Sequence, residues 1–125
     1  MEEIDTALAM GYDAEVDVRV VKDRFYLGHD GPEVEVSQSY LSDRSDFLWI
    51  HCKNSHALKK LLSLDFNYFF HVDDDYTITS RGIVWAHPRA EVIPDSIVVL
   101  PEIYERSMNN IYGVCTDFPE RYKGV

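Results

Sequence analysis

Short apolar segments recur along the whole chain, and most of them carry polar residues at or near their ends. In order, they read AEVDVRVV, LWIHC, NYFFHV, IVWAH, SIVVL and YGVCTD. Largely apolar strands separated by crossovers favour a parallel α/β sheet over an antiparallel sandwich. Several crossovers are too short for a full helix, and a complete TIM barrel takes about 200 residues or more. We therefore predict an α/β fold: a reduced or incomplete TIM-type (β/α) barrel, rich in strands and with few short helices.

Composition narrows the classes of function. The 125 residues contain no linker or internal repeat, so we predict a single domain over 1–125. The formal net charge of −10 argues against nucleic acid and anionic membranes as partners, because both reward basic surfaces. No apolar run approaches the about 20 residues of a membrane span. Cys52 and Cys115 lack a zinc-type spacing and favour a reduced pair in a cytoplasmic protein.

Local patterns predict the shorter elements. EEIDTALAMG predicts a helix closed by Gly11, and SHALKKLLSL a short helix that Ser55 would cap. KDR predicts a tight turn between AEVDVRVV and a second strand, FYLGHD. EIYERSMNN, residues 102–110, favours another short helix.

The first strand places two carboxylates on the same face. Alternate side chains of a strand point to opposite faces, so Glu15 and Asp17 lie together and Val16 and Val18 lie on the other face. Residues i and i+2 of a strand are about 7 Å apart. At an effective dielectric of about 20, the repulsion of two converging carboxylates costs on the order of 2 kcal/mol. Either a cation or bulk water must offset this repulsion, which leaves a metal site and a solvated strand face as alternatives.

Polar pairs follow the same two-residue period near the ends of other segments. They are His51 with Lys53, His71 with Asp73, Trp85 with His87, and Cys115 with Asp117. Barrels and open α/β sheets build their sites at the carboxyl ends of the strands. Several pairs in succession therefore predict one ring of polar groups. The acidic run at 73–75 lacks the spacing of an EF-hand, so a solvated turn is the simpler interpretation of that run.

Two of these segments carry motifs found together in one family. GYDAEVDVRVVKDRFYLGHDGP contains Glu-x-Asp followed by His-Asp, and GVCTDFPERY contains Thr-Asp-x-Pro. In these motifs the chain resembles the glycerophosphodiester phosphodiesterases. LWIHCKN is similar to their Glu-x-Lys strand, and YFFHVDDDYTITSRGIVWAHP is similar to a small subgroup of short members. The resemblance covers most of the chain and implies a (β/α) barrel that hydrolyses a small phosphodiester with a divalent metal.

The resemblance also implies roles for individual residues. By position, Glu15 and Asp17 would be metal ligands, His29 a catalytic acid or base, and Lys53 the residue that steadies the phosphate. His51 stands where the family has a glutamate; either His51 or a water would complete the metal shell, and the alternative is a site that has lost its metal. The family implies Mg²⁺ or Ca²⁺, whereas an imidazole ligand shifts the preference toward Mn²⁺ or Zn²⁺.

The family's first strand, with a His-Arg-Gly motif, precedes the helix with which this chain begins. The resemblance thus implies a domain without that strand, in which the second proton transfer falls to His71, to water or to no group. We expect Trp85 and Asp117 to bind substrate; the alternatives are a core tryptophan and a cap before Pro119. A missing strand leaves an exposed sheet edge, from which we expect a homodimer. The alternative function is an inactive barrel relic that binds a phosphorylated ligand or a partner protein.

Overall fold

The computed structural model describes residues 1–124, which divide into two compact units. The first unit is Met1–Phe70, and the second begins at His71. The described residues contain three α-helices, α1 (Glu2–Ala9), α2 (Gln38–Asp43) and α3 (Ser55–Leu61). They also contain two 3₁₀ helices, Ser45–Phe47 and Pro119–Tyr122.

A five-stranded mixed sheet forms the first unit. Its strands are β1 (Ala14–Val21), β2 (Arg24–Leu27), β3 (Val34–Val36), β4 (Leu48–Cys52) and β5 (Tyr68–Phe69). Their order in the sheet is β3-β2-β1-β4-β5. β1, β4 and β5 run parallel, whereas the β1–β2 and β2–β3 pairs are antiparallel. The parallel pairs are the ones joined by a helix-containing crossover, as parallel pairing requires.

The core of the first unit lies on one face of this sheet. β1 buries Val16, Val18 and Val20 in alternation, the period expected of a half-buried strand. α3 contacts β1 and adds Ala57 and Leu61 to the same core. The polar residues of β1 between these valines therefore point to the other face of the sheet.

A two-residue turn joins β1 to β2. Lys22 and Asp23 have φ values of 50° and 65°, and two successive positive φ values suit the right-handed twist of a hairpin. The turn pairs Val21 with Arg24 and carries the register back to Val18 opposite Leu27. The hairpin predicted from KDR is confirmed.

Asn54 connects the end of β4 to both β1 and α3. Its Oδ1 accepts hydrogen bonds from the backbone N of Ala57 at 3.0 Å and of Val20 at 3.2 Å. Its Nδ2 donates to the Val20 carbonyl at 3.0 Å. One side-chain amide thus caps α3 and extends the pairing between β1 and β4 beyond the strand end. Ser55 was the predicted cap, but it is the first helical residue.

A four-stranded mixed sheet forms the second unit. Its strands are β6 (Tyr76–Ile78), β7 (Val84–Ala86), β8 (Ile97–Val99) and β9 (Gly113–Cys115), in that order. β6 and β7 are antiparallel, and β7, β8 and β9 are parallel. The short central strand β8 is buried along its whole length, as expected of a parallel strand covered on both faces.

Arg106 binds backbone carbonyls from separate segments of the second unit. Its guanidinium donates to the carbonyls of His87 at 2.8 Å, Ala90 at 3.1 Å and Val99 at 2.5 Å. The helix predicted over residues 102–110 is wrong, because this segment forms turns and irregular backbone around Arg106. Ser and Asn residues near its end have low helix propensity, and the tertiary hydrogen bonds of Arg106 outweigh the weak local preference.

The predicted TIM-type barrel is also wrong, although the α/β class holds. The two sheets are separate and open: β3 and β5 are the edges of the first, and β6 and β9 are the edges of the second. A barrel needs a closed ladder of strands, with a helix after each strand in the TIM type. Here β5 has two residues, and three strand pairs are antiparallel hairpin or meander pairs.

Cys52 and Cys115 are both free thiols in the structure. Burial raises the pKa of the Cys52 thiol to about 12, so this side chain is a protonated core residue at neutral pH. None of the helices in the described part of the chain is long and apolar enough to cross a membrane.

Candidate metal centre

Two neighbouring parallel strands bring three metal-ligating side chains together. Glu15 and Asp17 belong to the polar face of β1, and Asp17 lies directly beside His51 in the register of β1 with β4. One ligand atom from each of the three side chains lies within 4.8 Å of the other two. We call these residues the Glu15–Asp17–His51 group. Parallel pairing accounts for the group, because side chains at paired positions share one face of the sheet.

Two contacts orient the imidazole ring of His51. Its Nδ1 lies 3.2 Å from Oδ1 of Asp17. Its ring stacks on Phe69, with centroids 5.0 Å apart and an interplanar angle of 11°. The side chains of His51 and Asp17 are only 12% and 18% exposed, whereas Glu15 is an exposed residue. The group therefore combines two oriented, largely buried side chains with one accessible carboxylate.

The surroundings of Asp17 favour its ionised form. Burial alone raises the pKa of Asp17, but the hydrogen bond with His51 and the charges of His51 and Lys53 lower it. A hydrogen bond with Glu15 acts in the same direction. The resulting pKa lies below the ordinary value, so Asp17 is a carboxylate at neutral pH. The ionised carboxylate is also the form that binds a metal.

The donor set fits a divalent cation with mixed oxygen and nitrogen ligands. Metal–ligand distances of about 2.0–2.6 Å place two ligand atoms on opposite sides of an ion about 4–5 Å apart. The 4.8 Å limit within the group is compatible with that span. Carboxylate oxygens suit hard cations, and imidazole nitrogen suits transition metals and zinc. Three protein ligands leave further coordination positions for water or substrate.

Trp49 of β4 and Lys53, the residue after β4, flank the group. Lys53 follows the strand and donates its backbone N–H to the carbonyl of Val18 at 2.9 Å. Its side-chain charge is close enough to help lower the pKa of Asp17. Trp49 lies beside Glu15 in the strand register, and its Nε1 donates to Asp13 at 3.0 Å. The structure therefore brings the predicted phosphate-binding lysine to the predicted metal ligands.

His29 lies next to β1 but is not a member of the group. β2 ends at Leu27, two residues before His29, whereas the sequence predicted a strand through Asp30. The backbone N of Gly28 donates to the carbonyl of Asp17 at 3.1 Å, which holds the start of this loop against β1. The His29 ring pairs through Nδ1 with Asp30 at 2.8 Å, and its side chain is 73% exposed.

Within the second unit, His71 contacts a residue that the sequence left without a functional role. The rings of His71 and His87 lie 4.2 Å apart with a tilt of 37°. Nε2 of His87 is 3.0 Å from the hydroxyl of Thr77. Trp85 is only 4% exposed, which favours the core interpretation over contact with substrate. The roles predicted for His71 and Trp85 stay predictions.

Asp117 is an exposed residue whose backbone is fixed by Glu102. The backbone N of Asp117 donates to Oε2 of Glu102 at 3.2 Å, and the hydroxyl of Thr116 donates to Oε1 at 2.7 Å. Burial raises the pKa of Glu102, and these hydrogen bonds more than compensate and lower it. The structure thus gives Asp117 a fixed backbone, and its predicted contact with substrate stays a prediction.

Three residues that hold predicted site residues in place were not found from the sequence: Asn54, Glu102 and Arg19. Asn54 precedes a helical pattern, so a capping signal was present, but its bonds to Val20 span 34 residues. The contact of Glu102 with Thr116 spans 14 residues. Arg19 shares the two-residue period of Glu15 and Asp17, and that period was the signal that could have found it.

No protein-family model, curated protein or solved structure matches this chain. The likeness to the glycerophosphodiester phosphodiesterases therefore rests on the quoted motifs alone. The Glu15–Asp17–His51 group is the feature of the structure that a functional proposal has to explain.

Proposed function

We propose that this chain binds a divalent cation through the Glu15–Asp17–His51 group and hydrolyses a small phosphodiester. The observation that carries the proposal is the approach of three ligand atoms from two adjacent strands to within 4.8 Å. Two carboxylates on this face repel one another; the charge of Lys53 offsets part of that cost, and a bound cation would offset more of it. Lys53 supplies a second positive charge beside the group, where it would pair with non-bridging phosphate oxygens.

Each part of the proposed site would have its own role in hydrolysis. A bound cation supplies a Lewis acid for a phosphoryl oxygen. Hydrolysis breaks one ester P–O bond and forms one P–O bond from water, while the water loses a proton and the departing alkoxide gains one. His29 would transfer one of these protons, because imidazole accepts and donates protons near neutral pH. Asp30, bonded to Nδ1, would orient the ring with Nε2 toward the proton it moves.

The test is hydrolysis by the purified chain of bis(p-nitrophenyl) phosphate and of glycerophosphodiesters, with Mg²⁺, Ca²⁺, Mn²⁺ or Zn²⁺ and with EDTA in parallel. We expect turnover with metal that is lost on chelation. Glu15→Gln and Asp17→Asn should lose both metal binding and turnover. His29→Ala should keep metal binding and lose about 10²- to 10⁴-fold in kcat, the usual contribution of general acid–base catalysis.

Matched variants control for unspecific damage. Glu35→Gln removes an exposed carboxylate of β3, and His56→Ala removes an exposed imidazole of α3. Both should retain turnover and metal binding. Metal binding is read separately from Tb³⁺ luminescence sensitised by Trp49, which lies beside Glu15. A folded protein that hydrolyses neither diester with any of these metals contradicts the proposal.

One observation favours a second candidate function, the binding of a phosphorylated ligand without hydrolysis. The His29 side chain is 73% exposed and bonded to Asp30, outside the Glu15–Asp17–His51 group. An acid–base residue is usually held within hydrogen-bonding reach of the reacting atoms. Thermal stabilisation by metal together with a phosphate monoester, with no diester turnover, would support this function over hydrolysis.

A further inference from the structure

Arg19 is the third polar residue on the face of β1 that carries Glu15 and Asp17. It follows them at the same two-residue interval, between the buried Val18 and Val20. An arginine at this position lies two residues beyond Asp17 toward the β1–β2 hairpin. No role was assigned to it from the sequence.

The Arg19 guanidinium binds the loop that carries His29. Its Nε donates to the carbonyl of Gly28 at 3.2 Å, and its Nη2 donates to the carbonyl of His29 at 2.8 Å. Hydrogen bonds from a charged donor are stronger than neutral ones, and the planar fork of arginine fixes the direction of two acceptors at once. Two successive carbonyls of the loop are therefore held by one side chain of β1.

The same loop has a second attachment to β1. The backbone N of Gly28 donates to the carbonyl of Asp17 at 3.1 Å. The turn over Gly28 is so tight that a Cβ at this position would lie 1.8 Å from the carbonyl oxygen of Gly31. The loop is thus short and closely packed, and it is held at its start by the residue that also serves as a predicted metal ligand.

We propose that Arg19 is a positioning residue that fixes the backbone of His29 relative to the Glu15–Asp17–His51 group. This inference rests on the proposed hydrolase function. The imidazole of His29 contacts Asp30 from its own loop, so the distance from His29 to the carboxylates depends on how the loop is held to β1. Arg19 and the Gly28–Asp17 bond supply that attachment, and Arg19 does so without contacting substrate.

The test compares Arg19→Ala and Arg19→Lys with Arg24→Ala, which removes an exposed arginine of the same hairpin that pairs with Glu35. For Arg19→Ala we expect kcat to fall by about 10- to 100-fold, the effect of a small misplacement of a catalytic group. The KM for the diester and the affinity for Mn²⁺ should stay within about twofold, since neither depends on His29. Arg24→Ala should match the unsubstituted chain.

Rescue separates positioning from folding. Free guanidinium ion at non-denaturing concentration should restore part of kcat in Arg19→Ala, and Arg19→Lys should retain an intermediate kcat because lysine lacks the planar fork. An Arg19→Ala protein with unchanged kcat overturns this inference and leaves the proposed hydrolase standing. If the affinity for Mn²⁺ falls together with kcat, Arg19 stabilises the fold and does not specifically position His29. That result also overturns the inference. Absence of turnover in the unsubstituted chain overturns the proposed function and this inference together.

Discussion

At the scale of single residues, the imidazole of His51 would decide which cation the proposed Glu15–Asp17–His51 site prefers. Mg²⁺ and Ca²⁺ prefer oxygen ligands, whereas Mn²⁺ and Zn²⁺ accept an imidazole nitrogen. The stacking of His51 on Phe69 and its contact with Asp17 hold the ring in a defined orientation. A fixed imidazole ligand costs less ordering on binding than a flexible one, which strengthens the preference for metals that accept nitrogen.

We expect the chain to bind Mn²⁺ and Zn²⁺ at least about tenfold more tightly than Mg²⁺ or Ca²⁺. His51→Asp should narrow or reverse this ratio, because it replaces the imidazole with a third carboxylate. Displacement of Tb³⁺ by each metal gives the four affinities in one assay. His56→Asp, on the exposed surface of α3, is the control and should leave all four unchanged. Equal affinity of the unsubstituted chain for Zn²⁺ and Mg²⁺ would mean that His51 is not a ligand.

At the scale of elements, the end of β4 is held by the side chain of Asn54. The bond from Lys53 to Val18 is followed by the two bonds between Asn54 and Val20. These contacts keep β4 in register with β1 up to the point where α3 begins. Register matters here because a slip of one residue would turn His51 into the core.

Asn54→Ala should therefore destabilise the chain by more than a lost helix cap. The cap alone contributes about 1 kcal/mol, and the two Val20 backbone groups lose their partners, which adds about 1–3 kcal/mol. We expect a lower midpoint of urea unfolding together with weaker Mn²⁺ binding. Asn109→Ala changes an exposed asparagine of the second unit and should alter neither quantity. If Asn54→Ala shows the expected destabilisation but binds Mn²⁺ with unchanged affinity, the Asn54 contacts do not contribute to metal binding.

The same elements show what the sequence can and cannot predict. Alternation in AEVDVRVV predicted the shared face of Glu15 and Asp17, and the apolar run LWIHC predicted the strand that carries His51. The KDR turn predicted the hairpin because its geometry is local. The barrel was wrong because closure depends on which strands pair at the sheet edges, and alternation within a strand does not encode its neighbour. The contacts of Asn54 and Glu102 were missed for the same reason.

At the scale of the whole molecule, the net charge of −10 acts on any cation that approaches. A surplus of negative charge raises the local concentration of divalent cations and would add to the metal affinity proposed for the Glu15–Asp17–His51 group. Salt screens this long-range contribution but affects the direct bonds less. The predicted homodimer would double the charge, and it stays a prediction.

Raising the ionic strength should therefore weaken metal binding. From about 0.02 M to about 0.5 M salt, the Debye length falls from about 20 Å to about 4 Å. We expect the apparent Kd for Mn²⁺ to rise by about three- to tenfold over this range. Tetramethylammonium chloride is the salt to use, because its cation is too bulky to compete for the carboxylates. A Kd that does not change would show that the three ligands alone set the affinity.

The amide of Asn54 has a consequence for how the protein ages. Asn54 is followed by Ser55, and an Asn–Ser bond is a chemically labile step in many chains, since the following backbone nitrogen can attack the side-chain carbonyl. The attack expels ammonia and forms a succinimide, which water then opens to aspartate or isoaspartate. Either product lacks the Nδ2 donor that binds the Val20 carbonyl. Slow deamidation at this one residue would then weaken the attachment of β4 to β1 beside His51.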